Sequence, residues 1–147
     1  MSEKVRIVID SFDPYRENFA LWSRLYVEIG EDCFPCASWT DATSSVLSMW
    51  LHSINRYLLG NTDTVTLPFM DGDYAMQLEA LPNGEALLRC TNGDAVTTEQ
   101  EIDVLYFARQ LLAAVGKIEK QYEAYIDTPQ IRELSILANN LRNTINK

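Results

Sequence analysis

Cys33-Phe34-Pro35-Cys36 places two thiols at the spacing of a redox pair, with a proline between them as in many such motifs. A pair of this kind reacts when a helix N-terminus or a nearby cation acidifies its first thiol. Here Glu28, Glu31 and Asp32 precede the motif, and no Lys or Arg stands between Arg24 and Arg56. The spacing therefore argues for a thiol oxidoreductase and the charge argues against one. Cys90 and His52 could complete a Cys₃His zinc set, although not at the spacing of a known knuckle. His52 is the single histidine, and it supports no Ser-His-Asp arrangement. No Gly-x-Ser-x-Gly elbow, Gly-x-Gly-x-x-Gly fingerprint or phosphate loop occurs. The residues give no catalytic group, metal site or cofactor, and the chain reads as a non-enzyme.

Phe69-Met70-Asp71-Gly72-Asp73-Tyr74 sets two aspartates around a glycine between large hydrophobic residues. A calcium loop would need further oxygen ligands and a late Glu, which Tyr74–Glu79 does not supply at the required intervals. Two readings stay open. In one, Gly72 takes positive φ in a plain turn and the aspartates bond backbone amides. In the other, the turn is a protruding acidic tip with aromatic anchors, suited to a basic partner.

Charge favours a binding surface. The chain of 147 residues has 12 Lys and Arg against 21 Asp and Glu, a net charge of −9. That sign argues against nucleic acid and against anionic membrane surfaces, both of which recruit clustered cations. The excess is local. Residues 61–96 hold Asp63, Asp71, Asp73, Glu79, Glu85 and Asp94 against Arg89 alone, and Glu28, Glu31, Asp32 and Asp41 lie in a stretch with no base. Clustering of one sign near Tyr26, Phe34, Trp39 and Tyr74 suits a steered interface with aromatic anchors. The expected contacts are Glu31, Asp32, Trp39, Asp41, Asp71, Asp73 and Tyr74.

Trp39-Thr40-Asp41, Met49-Trp50-Leu51 and Phe69-Met70-Asp71-Gly72-Asp73-Tyr74 together resemble a group of small, uncharacterised bacterial proteins, over about residues 35–90. In that group a Trp-x-Asp segment opens a Trp-containing helix, and a later strand ends in Phe-Met-Asp-Gly-Pro-Tyr. This chain has Asp73 where the group has proline. Such proteins are similar in character to immunity proteins of bacterial toxin systems. The resemblance implies a protein that binds and blocks one basic toxin domain. Two other classes compete: an acidic secretion chaperone, and the thiol oxidoreductase using Cys33 and Cys36.

Positioning these residues requires a fold. Val5, Ile7 and Ile9 alternate with polar neighbours as a half-buried strand does, and Asp13–Asn18 supplies a turn. Phe19, Leu21, Leu25, Val27 and Ile29 mark one face of a second strand, predicting an antiparallel hairpin. Gly30–Ser38 reads as a loop. Ser38-x-x-Asp41 resembles a capping box for a helix reaching about Leu59, with Val46, Leu47, Trp50, Leu51, Ile54, Tyr57 and Leu58 as its apolar stripe. Val65–Phe69, Tyr74–Leu81 and Glu85–Cys90 form a meander that Asn92-Gly93-Asp94 closes. Thr98-x-x-Glu101 then predicts the start of a long helix with Ile102, Leu105, Leu112 and Val115 inward, continuing towards Tyr125. Asp127-Thr128-Pro129 opens a last helix with Ile131, Leu134, Ala138, Leu141 and Ile145 on one side.

This order predicts one α+β domain over residues 1–147. Its antiparallel sheet has about five strands, helices pack on one face, and the last two elements are helical. MSEKVRIVID lacks the pattern of a signal peptide, and no apolar run reaches the ~18 residues of a membrane helix. Three cysteines without an export signal point to free thiols in the cytoplasm.

Overall fold

Alternation decides the first layer. A computed structural model of the chain describes residues 5–13, 21–123 and 128–147. In it β1 (Val5–Asp13) and β2 (Trp22–Ile29) pair antiparallel from Val5↔Ile29 to Asp10↔Arg24. Val5, Ile7, Ile9, Leu25, Val27 and Ile29 all point into the core. The expected turn at Pro14–Asn18 and Phe19 lie outside the described residues.

The predicted loop after β2 contains more sheet than its sequence suggests. β3 (Asp32–Phe34) and β4 (Thr40–Asp41) both pair with β2, through Val27↔Phe34 and Ser23↔Asp41. Consequently α1 (Thr43–Leu58) starts later than expected. The Ser38-x-x-Asp41 box does not form, because Ser38 adopts φ +66° and Asp41 belongs to the sheet. Ala42 occupies the cap position with no side-chain bond. The predicted stripe holds: Val46, Leu47, Trp50, Leu51 and Ile54 are buried, and Tyr57 and Leu58 pack against them.

A second sheet follows, in the order β5 (Thr64–Pro68), β6 (Tyr74–Ala80), β7 (Ala86–Asn92), β8 (Ala95–Ile102). The fourth strand corrects the predicted capping box at Thr98 and Glu101. Asn92-Gly93-Asp94 opens a hairpin, with Gly93 at φ +60°, and residues 95–102 return along β7. Arg89 ties three strands together, bonding Glu79 at 2.7 Å and Glu99 at 2.9 Å. The helix begins instead at Val104, where the Asp103 carboxylate accepts the Leu105 N–H at 3.0 Å. This helix, α2 (Val104–Gln121), buries Phe107, Leu111, Val115 and Ile118, whereas Leu105, expected inside, faces water. The expected extension to Tyr125 falls outside the described residues. α3 (Pro129–Ile145) starts at its proline, as predicted, and buries Ile131, Leu134, Ala138 and Leu141.

The architecture is α+β, with two antiparallel four-stranded sheets rather than one of about five. α1 packs on β2 and β5, α2 on β1, and α3 on both other helices. One continuous apolar cluster joins both sheets and all three helices. Two outer strands are covered. Gln110 of α2 accepts the Ile7 N–H at 2.8 Å and donates to the Val5 carbonyl at 2.7 Å, occupying part of the edge of β1. α1 lies against β5, and Trp50 Nε1 donates to the Pro68 carbonyl at 2.8 Å. No helix among the described residues is long and apolar enough to cross a membrane.

Candidate functional site: an acidic turn on an aromatic column

Trp50 begins the site from the inside. It is fully buried, and besides bonding Pro68 it meets Phe69 edge to face at a centroid distance of 5.2 Å. Phe69 meets Phe34 at 5.7 Å, Phe34 meets Tyr74 at 5.7 Å, and Tyr74 meets Trp39 at 5.1 Å, each ring tilted steeply on the next. Edge-to-face pairs at these separations are attractive beyond their buried area. The column therefore runs from the core to the half-buried faces of Trp39 and Tyr74. It joins the segment entering α1 to the β5–β6 turn, which the sequence separates by about 30 residues.

Asp41 locks that junction. Its side chain is 0 % exposed. One carboxylate oxygen accepts the Ala42 N–H at 2.7 Å and the other accepts Trp39 Nε1–H at 3.0 Å. Both lie 3.2 Å from the Met70 nitrogen, and the second also accepts the Asp71 N–H at 3.2 Å. A buried carboxylate is tolerable only when such donors replace its water. Asp41, expected among the partner contacts, thus lies inside with its oxygens bonded, and its work is to hold the turn.

Gly72 is required twice in that turn. It sits at φ +74°, and a Cβ there would stand 3.0 Å from the Tyr74 ring. The plain-turn reading is met in its backbone and not in its bonds. Gly72 does take positive φ, but the amides of Met70 and Asp71 are bonded by the remote Asp41, which leaves Asp71 and Asp73 exposed. The Gly93 N–H bonds the Asp73 carbonyl at 2.8 Å, bringing the β7–β8 turn with Asp94 alongside. Asp32 is exposed and lines a cleft of about 270 Å³ with Cys33, Phe34, Pro35, Tyr74, Thr97 and Thr98. Glu31, also exposed, stands beside it in the β2–β3 turn. Arg24, which reaches the loop at Ser38, is paired with Asp10 at 2.5 Å.

Met70 was missed by sequence reasoning. It is 52 % exposed at the tip and borders a groove of about 280 Å³ with Ser45, Met49 and Glu133. Its exposure is set by the turn, because Met70 lies past the end of β5 where the chain bends away from buried Phe69. Phe34, Thr97 and Asp94 also join the site only through folding.

Cys36 is exposed, Cys33 half-buried and Cys90 buried in β7, all as free thiols. Burial pushes the Cys90 thiol up to about 12. His52 is exposed on α1. Among the described residues no three His, Cys, Asp or Glu side chains gather closely enough to hold a metal ion. No protein-family model matches the chain, and neither a curated protein nor a solved structure matches it.

Proposed function

We propose that this chain is a non-enzymatic acidic domain that binds a basic protein, and that it acts as an immunity protein neutralising a toxin domain in the cytoplasm. One observation carries the reading. Three sequence-distant segments meet at Tyr74: Asp32 shares its cleft, exposed Asp71 and Asp73 precede it on a turn that buried Asp41 fixes to Trp39, and the Gly93 N–H holds the turn of Asp94 against Asp73. Acidic side chains at the rim would steer a cationic partner, and the apolar centre would slow its departure. Asp41 is a positioning residue in this scheme. The resemblance to small immunity-like proteins supports the choice of toxin as partner.

The test is charge reversal at Asp71 and Asp73, both to lysine, against a toxin domain encoded beside the chain. Steering of this kind is worth about 10–1,000-fold in association rate. The double variant should associate at least tenfold more slowly at low salt, lose most of its salt dependence, and melt within about 1 °C of the parent. An unchanged association rate sinks the site.

A further inference from the structure

The outer edge of β8 is an open strand edge beside the acidic surface. Among the described residues no strand or loop pairs with its far side, since β8 ends the sheet and its ladder is with β7 alone. Val96 is 53 % exposed, and Ala95, Thr97, Glu99 and Glu101 are exposed with it. By contrast, Gln110 occupies part of the edge of β1 and α1 lies against β5. The Glu101 carbonyl already accepts Gln100 Nε2–H at 3.1 Å, and the other outward backbone groups of such an edge are presented to any extended chain that arrives. A cleft lined by Thr97 and Thr98 of β8, Asp32–Phe34 of β3 and Tyr74 adjoins this strand. Residues of two strands, one from each sheet, therefore line one cleft.

We propose that β8 receives an extended, lysine- or arginine-bearing segment of the partner as an added antiparallel or parallel strand, entering over the cleft to Tyr74. This rests on the binding reading above and names its mode. Charge selects the occupant. Asp94, Glu101 and Asp103 border the edge, and only Glu99 is neutralised, by Arg89. A second copy of this chain would bring its own glutamates against these, whereas like charges across a ladder are unfavourable and opposite charges favourable. The register shift near Cys90 and Thr91 leaves Thr97 out of the ladder, its hydroxyl bonded to the Cys90 carbonyl at 3.2 Å, so the regular edge is Thr98–Ile102. Five residues of ladder suit a short segment. Backbone pairing would supply affinity and alternate side chains the selectivity.

The probe is an acetylated, fluorescein-labelled peptide of four Lys-Val repeats, titrated at low salt into the full chain. A second peptide has the same sequence with alternate backbone nitrogens methylated, which keeps its charge and removes strand pairing. The first should bind and slow amide exchange at Thr98–Glu101 at least tenfold, and methylation should weaken binding at least tenfold. Equal binding of both peptides, or protection confined to residues 70–74, overturns strand addition. Loss of that binding in the Asp71 and Asp73 charge-reversed chain would then still uphold the acidic surface. Absence of binding by the unmethylated peptide, or a homodimer protected along β8, also overturns the proposal.

Discussion

Asp41→Asn isolates the lock on the acidic turn, because it keeps the volume and removes the charge and one acceptor. The carboxylate receives Ala42 N–H on one oxygen and Trp39 Nε1–H and Asp71 N–H on the other, with Met70 N–H between them. An asparagine has one oxygen and an NH₂, so either orientation turns its NH₂ towards at least one of those donors. Hydrogen bonds to a charged group are worth about 1.5–3 kcal/mol each, and four would sum to about 6–12. That sum overstates the loss, since neutralising the residue also relieves the cost of burying a charge. One orphaned buried N–H costs about 1–3 kcal/mol, and weakening the others brings the expected loss to about 2–4 kcal/mol. A domain of this size has about 5–15 kcal/mol to lose, so the variant should stay folded. Urea unfolding should show a lower midpoint at constant slope, and amide exchange at Met70 and Asp71 should accelerate at least tenfold. Loss under about 0.5 kcal/mol with unchanged exchange at both amides would refute the reasoning, because it would mean that the carboxylate does not hold the turn.

Gly72→Ala must place a side chain at φ +74° and 3.0 Å from the Tyr74 ring, so it should cost about 1–3 kcal/mol in urea melts and alter Trp39 emission as Tyr74 moves. Thiol titration of the folded chain should find Cys36 fast, Cys33 slower and Cys90 silent until denaturant is added; a fast third thiol would contradict its burial. Because burial holds the Cys90 thiol neutral up to about 12, the unfolded chain ionises it first as pH rises above its ordinary value. The folded state should then lose up to about 1.4 kcal/mol per pH unit from this group, and Cys90→Ala should flatten that slope in melts at pH 9 and 10.

Periodicity carried the hairpin, the α1 stripe and the last helix because each is set by neighbours within one turn or one strand. The start of α2 was misread for a local reason. Thr98 and Glu101 have the spacing of a capping box, yet residues 95–102 find β7 across the Gly93 turn and complete a ladder. Asp103 before Val104 was the better signal, a capping side chain set directly against the apolar run. The division into two sheets was invisible because β3 and β4 are short and owe their form to β2. In the site, exposed Asp71 and Asp73 were legible from composition and turn chemistry. Asp41 was not, because three of its donors are chosen by folding: the indole of Trp39 and two amides about 30 residues away.

Gln110 carries a further consequence. Its side-chain amide answers the N–H of Ile7 and the carbonyl of Val5 as a neighbouring peptide unit would, so it acts as a stopper on that side of the molecule. A sheet with a stopper at one margin can be extended only at another. Growth by stacking copies needs two accepting margins on every copy, one to take and one to give. The stopper closes part of β1 to head-to-tail growth of the first sheet, while β8 ends the second sheet and is a separate margin that Gln110 does not reach.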